Sequence, residues 1–152
     1  NKNLIGFQGR TLNNSKVRYI TIKMFDDAQK VFGLDRVNKN ESSYVLEGPI
    51  DSMFIDNSIA TCDSTLYNAA KYLPKEKLIL VFDNEYHNKD LQKIILKSIE
   101  RDFNVCLFPK TVQGKDINDF VKNGMNSAEV KELIDNRTFR GLRARLEFDR
   151  IK

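Results

Sequence analysis

Residues 77–85 read KLILVFDNE, five apolar residues from Leu78 to Phe82 running directly into Asp83 and Glu85. A run without polar alternation predicts a strand buried on both faces, the pattern of a parallel sheet covered by helices. YVLEG (44–48) is a second such strand; it ends on Glu47, and Gly48-Pro49 sharpen the turn before Asp51 opens the next helix. NVCLFPK (104–110) is a third strand, and SIATCDS (58–64) is a short strand and turn. Helical character is expected in DSMFIDNS (51–58), in TLYNAAKYL (65–73) before Pro74, and in LQKIILKSIERDF (91–103). It is expected again in INDFVKNG (117–124) and in SAEVKELIDNRTFRGLRARLEF (127–148). Strands alternating with helices predict an α/β fold, a mostly parallel sheet with helices on both faces.

The first forty residues differ. LIGFQGR (4–10), the polar turn TLNNSK (11–16) and VRYITIK (17–23) predict a small β-rich subdomain. FDDAQKVFGLDRVNKN (25–40) is expected to be a short helix and loop, with Asp26 and Asp27 near its start and Gly33 near its end. The expected division is therefore 1–40, a basic β-rich subdomain; 41–125, the α/β domain; and 126–152, helices packed on that core.

The chain has 152 residues, 41% hydrophobic and 30% charged, enough for one core with a small appendage and too apolar for disorder. No apolar run approaches the ~20 residues needed to cross a bilayer, and no signal peptide opens the sequence, so a cytoplasmic protein is expected. Its first residue is Asn1 rather than Met, which reads as a piece of a longer protein. Two distant cysteines, Cys62 and Cys106, and one histidine, His87, argue against a zinc site and for reduced thiols. The net charge is +4, with Lys and Arg crowding both ends and the acids in the middle. A basic frame around an acidic centre suits a polyanion handled with a bound cation, although many solvated surfaces share it.

Ligands in open parallel sheets bind beyond the carboxyl ends of the strands. Glu47 with Asp51, Asp83 with Glu85, and then Asp116 with Asp119 in QGKDIND (113–119) follow three predicted strands and are expected to meet on that edge. Clustered carboxylates repel unless a cation sits among them, and an all-oxygen donor set selects Mg²⁺ or Mn²⁺. Two such ions can clamp the attacking and leaving oxygens of a phosphodiester. Any single acid after a strand is more ordinarily a helix cap or a solvated charge, as we read Asp56 and Asp63. It is the joint pattern that points to a site.

The motifs resemble the TOPRIM domain of primases, topoisomerases and some nucleases. Glu47-Gly48-Pro49-Ile50-Asp51 is similar to its E-G-x-x-D opening, IATCDST (59–65) to its A-T-L-G-T turn, Asp83-Asn84-Glu85 to its Asp-x-Asp, and GKDIND (114–119) to the G-x-D-x-x-E/D segment of bacterial-type primases. The chain departs from the pattern at Glu85, a longer carboxylate than the family's Asp, and at Tyr86-His87-Asn88, where the family often has Ala-Gly. IGFQGRTLNNSKVRYI (5–20) resembles the G-F-G-G-R-x-L…K-Y segment that precedes TOPRIM in DnaG-type primases. The motif spellings are most similar to the primase subunits of T-even-type phage primosomes.

The resemblance implies template-directed synthesis of RNA primers on single-stranded DNA from ribonucleoside triphosphates, during replication. Glu47, Asp83 and Glu85 are implied as catalytic residues, and these three with Asp116 as ligands of two Mg²⁺ or Mn²⁺ ions. Glu47 is either a ligand or the group that takes the hydroxyl proton. Asp51 and Asp119 are implied to support the ligands. Arg10, Lys16, Arg18 and Lys23 are implied to bind nucleotide or template phosphates, and a solvated hairpin is the plainer reading of any one of them. Implied partners are the template, the RNA–DNA hybrid and, through a full-length protein, a replicative helicase; no membrane is expected. A TOPRIM nuclease, a topoisomerase fragment or a non-catalytic nucleic-acid-binding module are the alternatives. In the C-terminal stretch, Phe139, Leu142 and Leu146 are expected to form the docking stripe of a terminal helix, with a template or helicase contact as the alternative.

Overall fold

A computed structural model describes residues 4–13, 16, 17 and 19–152 of the chain. It resolves into two compact units, 1–31 and 32–152.

The first unit is a two-stranded antiparallel ribbon. Strand β1 (Gly6–Arg10) pairs with β2 (Tyr19–Lys23), so that Phe7 faces Ile22, Gln8 faces Thr21 and Gly9 faces Ile20. The Gln8 side-chain amide donates to the Thr21 hydroxyl at 2.9 Å. Pairing across the strands puts opposed residues on one face, so Phe7, Ile20 and Ile22 share a face opposite that of Gln8 and Thr21.

The second unit is built on a five-stranded sheet of order β4-β3-β5-β6-β7. The strands are β3 (Ser43–Leu46), β4 (Ser58–Ala60), β5 (Leu78–Val81), β6 (Asn104–Cys106) and β7 (Thr138–Phe139). The first four run parallel, and β7 joins β6 antiparallel at the edge. Every residue of β3 and β5 is buried, the outcome expected of apolar runs without alternation. On one face Tyr44, Leu46, Ile79, Val81, Cys106 and Phe108 pack against Ile117 and Phe120 of α3 (Ile117–Lys122) and Val130 and Ile134 of α4 (Ser127–Asn136). The intervening residues Val45, Leu80 and Val105, also fully buried, point to the opposite face by the strand's period of two. There α2 (Lys89–Glu100) and α5 (Gly141–Ile151) cover the sheet, each packing on β6 and on the other. Tyr86 meets Phe148 of α5 edge-on, ring centroids 6.2 Å apart. The fold is α/β with helices on both faces, accompanied by a small β ribbon.

Several expected helices are smaller or differently placed. Residues 25–40 hold no α-helix: Phe32 bridges Ala60 antiparallel, and Gly33, at φ 85°, leads into a 3₁₀ turn, Leu34–Arg36, rather than ending a helix. The helix expected over 51–58 is the short α1 (Pro49–Ser52). The chain leaves it through Asn57 at φ 54°, whose side chain accepts from Asn38 N–H and donates to the Asn38 and Ser42 carbonyls. These bonds hold Asn57 in a turn that a helix would break. Residues 65–73 form a 3₁₀ helix, Leu66–Lys71.

The long helical stretch 127–148 is cut by β7. Phe139 therefore lies in a strand, buried, with the Arg137 and Arg143 guanidinium groups each 4.9 Å from its ring centroid. The docking stripe expected from Phe139, Leu142 and Leu146 does not form, because a strand residue and helix residues do not share a helical face. Leu142 and Leu146 are 74% and 57% exposed, and α5 docks instead through Ala144, Phe148 and Ile151. Arg140 pairs with Asp102 across the chain.

Candidate functional site

From β3 the chain moves to one side, to β4, and then crosses back over to β5 on the other side. Strand order reverses between β3 and β5, and a crevice opens at their carboxyl ends. Glu47 follows β3 directly, Asp83 lies two residues past β5, and α1 and α3 close the lower wall. The cleft is lined by Leu46, Glu47, Gly48, Asp51, Val81, Phe82, Asp83, Phe108, Asp116 and Ile117. Four of the predicted carboxylates thus meet.

The four are held differently. Asp116 is the N-cap of α3, and its Oδ1 accepts the Asp119 N–H at 2.8 Å. Asp51 Oδ1 accepts the Asn118 N–H at 2.9 Å, tying α1 to the first turn of α3. Asp119, outside the cleft lining, accepts the Lys115 N–H through Oδ2 at 3.2 Å. Gly48 leaves room for this arrangement, since a Cβ there would run into the Asp51 carboxylate. The Glu47 and Asp83 carboxylates, by contrast, accept no hydrogen bond from the described residues. Among the described residues the one cation paired with the Asp83 carboxylate is the Lys115 ammonium, at 3.9 Å.

The electrostatics follow. Burial pushes the Asp83 carboxyl up from 3.8 to about 7; Glu47 adds to the push, and Lys115 opposes it. Glu47 is raised as well, first by partial desolvation and then by Asp63, Asp51 and Glu85, with Lys115 acting against them. It is exposed as a residue, and its carboxyl feels the cleft. Asp51 is raised by burial despite the bond from Asn118. A site that penalises negative charge on three acids favours a proton or a cation.

Lys115 supplies positive charge at the rim. Its ammonium lies 3.0 Å from Glu85, and that contact raises its own pKa. Neither Lys115 nor Asn84 was singled out from sequence. Asn84 donates through Nδ2 to the Val112 and Gly114 carbonyls at 3.2 and 3.0 Å, and through its backbone N–H to the Lys115 carbonyl at 2.6 Å. The only signal available was position, a lysine one residue before Asp116 in GKDIND. Glu85 reaches Lys115 but does not line the cleft. Among the described residues no three His, Cys, Asp or Glu side chains converge closely enough, as they stand, to hold one ion.

His87 is exposed just before Asn88, which caps α2 by accepting the Asp90 and Leu91 N–H groups. Of the predicted phosphate-binding residues, Arg10 ends β1 and Lys16 is exposed in the turn. Lys23 ends β2 and donates to the Asp26 carbonyl at 2.6 Å. Arg18 lies outside the described residues. No described helix is long and apolar enough to cross a membrane.

No protein-family model matches the chain. It is 35% identical, over 148 residues and 95% of its length, to the DNA primase of Enterobacteria phage T4. It spans 42% of that primase's length. The chain is thus similar, along nearly its whole length, to less than half of that phage primase.

Proposed function

We propose that the cleft at the ends of β3 and β5 is the nucleotidyl-transfer site of a DNA primase that joins ribonucleotides into short primers on single-stranded DNA. The observation that carries this reading is the pair Glu47 and Asp83. Their carboxylates line the cleft at the switch point of the sheet, accept no hydrogen bond from the described residues, and are both pushed toward protonation or cation binding. Similarity to the T4 enzyme supports the reaction class.

In this reading a primer 3′-hydroxyl, or that of the first nucleotide, attacks the α-phosphorus of an incoming ribonucleoside triphosphate. The α–β phosphoanhydride bond breaks and pyrophosphate leaves. The donor set is all carboxylate, which suits Mg²⁺ or Mn²⁺ held by Asp83, Glu85, Glu47 and Asp116, and such ions would stabilise negative charge developing on the phosphoryl oxygens. Glu47 is then a ligand or the acceptor of the hydroxyl proton at its carboxylate. Asp51 keeps α3, and with it Asp116, against the cleft. Arg10, Lys16, Arg18 and Lys23 would meet phosphates of nucleotide or template. A replicative helicase would be engaged through the full-length protein.

The test is ribonucleotide incorporation on single-stranded DNA by the full-length protein carrying Asp83→Asn. Loss of incorporation with DNA binding retained is the expected result. Incorporation at the parental rate would overturn the assignment.

A further inference from the structure

In the loop between β6 and α3, residues 112–115 are fastened to the end of β5 through Asn84. Asn84 bonds the Val112 and Gly114 carbonyls with its side chain and the Lys115 carbonyl with its backbone N–H. Gly114 at φ 119° makes the turn, and a Cβ there would come within 2.9 Å of the Phe120 ring. The backbone of Lys115 is therefore held in place, while its side chain is half exposed. The ammonium reaches Glu85 at 3.0 Å and Asp83 at 3.9 Å, the two acids on either side of Asn84.

A single positive charge placed beside carboxylates does part of what a divalent cation does, but less well. An ammonium is one charge on a flexible stem, its pairing weakened by water, whereas a divalent ion takes carboxylate oxygens directly. We propose that Lys115 is the built-in counter-ion of this site, neutralising Asp83 and Glu85 in the metal-free protein and giving way when a divalent cation binds them. This inference rests on reading the cleft as a metal site. It makes Lys115 a positioning residue, competing with the ion rather than touching substrate. Asn84 helps keep the competition local, because its three bonds, with that of the Lys115 N–H to Asp119, fix the lysine's backbone beside the acids.

The test is Mn²⁺ binding by the 152-residue chain, followed through the electron paramagnetic resonance signal of free Mn²⁺, with circular dichroism confirming that each variant is folded. Lys115→Met is expected to bind Mn²⁺ about fivefold more tightly than the parent, because a competing charge is gone. Lys115→Arg, which keeps the charge, is expected to stay within about twofold of the parent. Lys122→Met removes a lysine 3.8 Å from Asp119, outside the cleft lining, and is expected to change affinity by less than about twofold. A parent that binds Mn²⁺ while Lys115→Met binds no more tightly, or a gain from Lys122→Met equal to that from Lys115→Met, overturns the counter-ion role and leaves the metal reading standing. No binding by parent or variants overturns both.

Discussion

The acids at the strand ends and the acids at the start of α3 are the same residue types doing opposite things. Asp51 (from α1), Asp116 and Asp119 accept backbone N–H groups from Asn118, Asp119 and Lys115, and the first two bonds satisfy the open first turn of α3. The Glu47 and Asp83 carboxylates accept none from the described residues and are both raised, first by burial, with Glu47 adding to the push on Asp83. Carboxylates committed to a backbone are structure. Carboxylates without such bonds, whose ionised form the cleft penalises, are the ones proposed for the site, because no hydrogen bond settles their charge.

The comparison breaks most visibly at Asp83. Asp83→Asn keeps the shape and removes the charge, and in the full-length protein it is expected to lower the rate of ribonucleotide incorporation by about a thousandfold. Retained activity would put Asp83 with the structural acids.

The second prediction concerns pH. Burial first, and then Glu47, Asp116 and Asp51, raise the Asp83 carboxyl from 3.8 to about 7, with Lys115 opposing. Between those values the folded chain holds a proton that the unfolded chain has lost, so stability falls as pH rises from about 4 toward about 7. Glu47 and Asp51 are also raised and act with the same sign. Asp102 and Asp149 are lowered by their Arg and Lys partners, and the stability they add is lost only on acidification. Thermal melts in a chelator across that range are expected to show Tm declining with pH, and Asp83→Asn to flatten the decline. A parent Tm that rises instead would contradict a raised Asp83.

Smaller effects sharpen the helix side of the comparison. Asp116→Ala removes the α3 cap and is expected to cost about 1 kcal/mol in chemical denaturation, with Asp116→Asn recovering most of it. If the Asn variant recovers stability but not activity, Asp116 serves both sides. The smallest change expected is Lys122→Ala, whose pairing with Asp119 spans 3.8 Å at an exposed surface. It should alter stability by less than about 0.5 kcal/mol.

Much of this was legible in the chain. Leu78–Phe82 and Tyr44–Leu46 read as buried parallel strands because a strand covered on both faces has no reason to alternate. The ordered acids after them pointed to one edge of the sheet, since the strand ends of a parallel sheet all face the same way. The failures have equally local causes. Thr138 and Phe139 make a two-residue strand whose identity depends on pairing with Val105 and Cys106, and no periodicity in 127–148 announces it. Asn57 ends α1 early through bonds to Asn38 and Ser42, residues whose nearness is set by the fold.

Sequence by itself determined the α/β architecture and the carboxyl-edge position of Glu47, Asp51, Asp83 and Asp116, though not that Glu85 and Asp119 stay outside the cleft, because the first two depend on hydrophobic patterning and strand direction. Tertiary structure alone decided which acids are free. That choice turns on whether a backbone N–H from another element comes within hydrogen-bonding distance, as Asn118 does for Asp51 and as no described residue does for Asp83. It also decided the place of Lys115, which Asn84 brings to the acids from a distant loop.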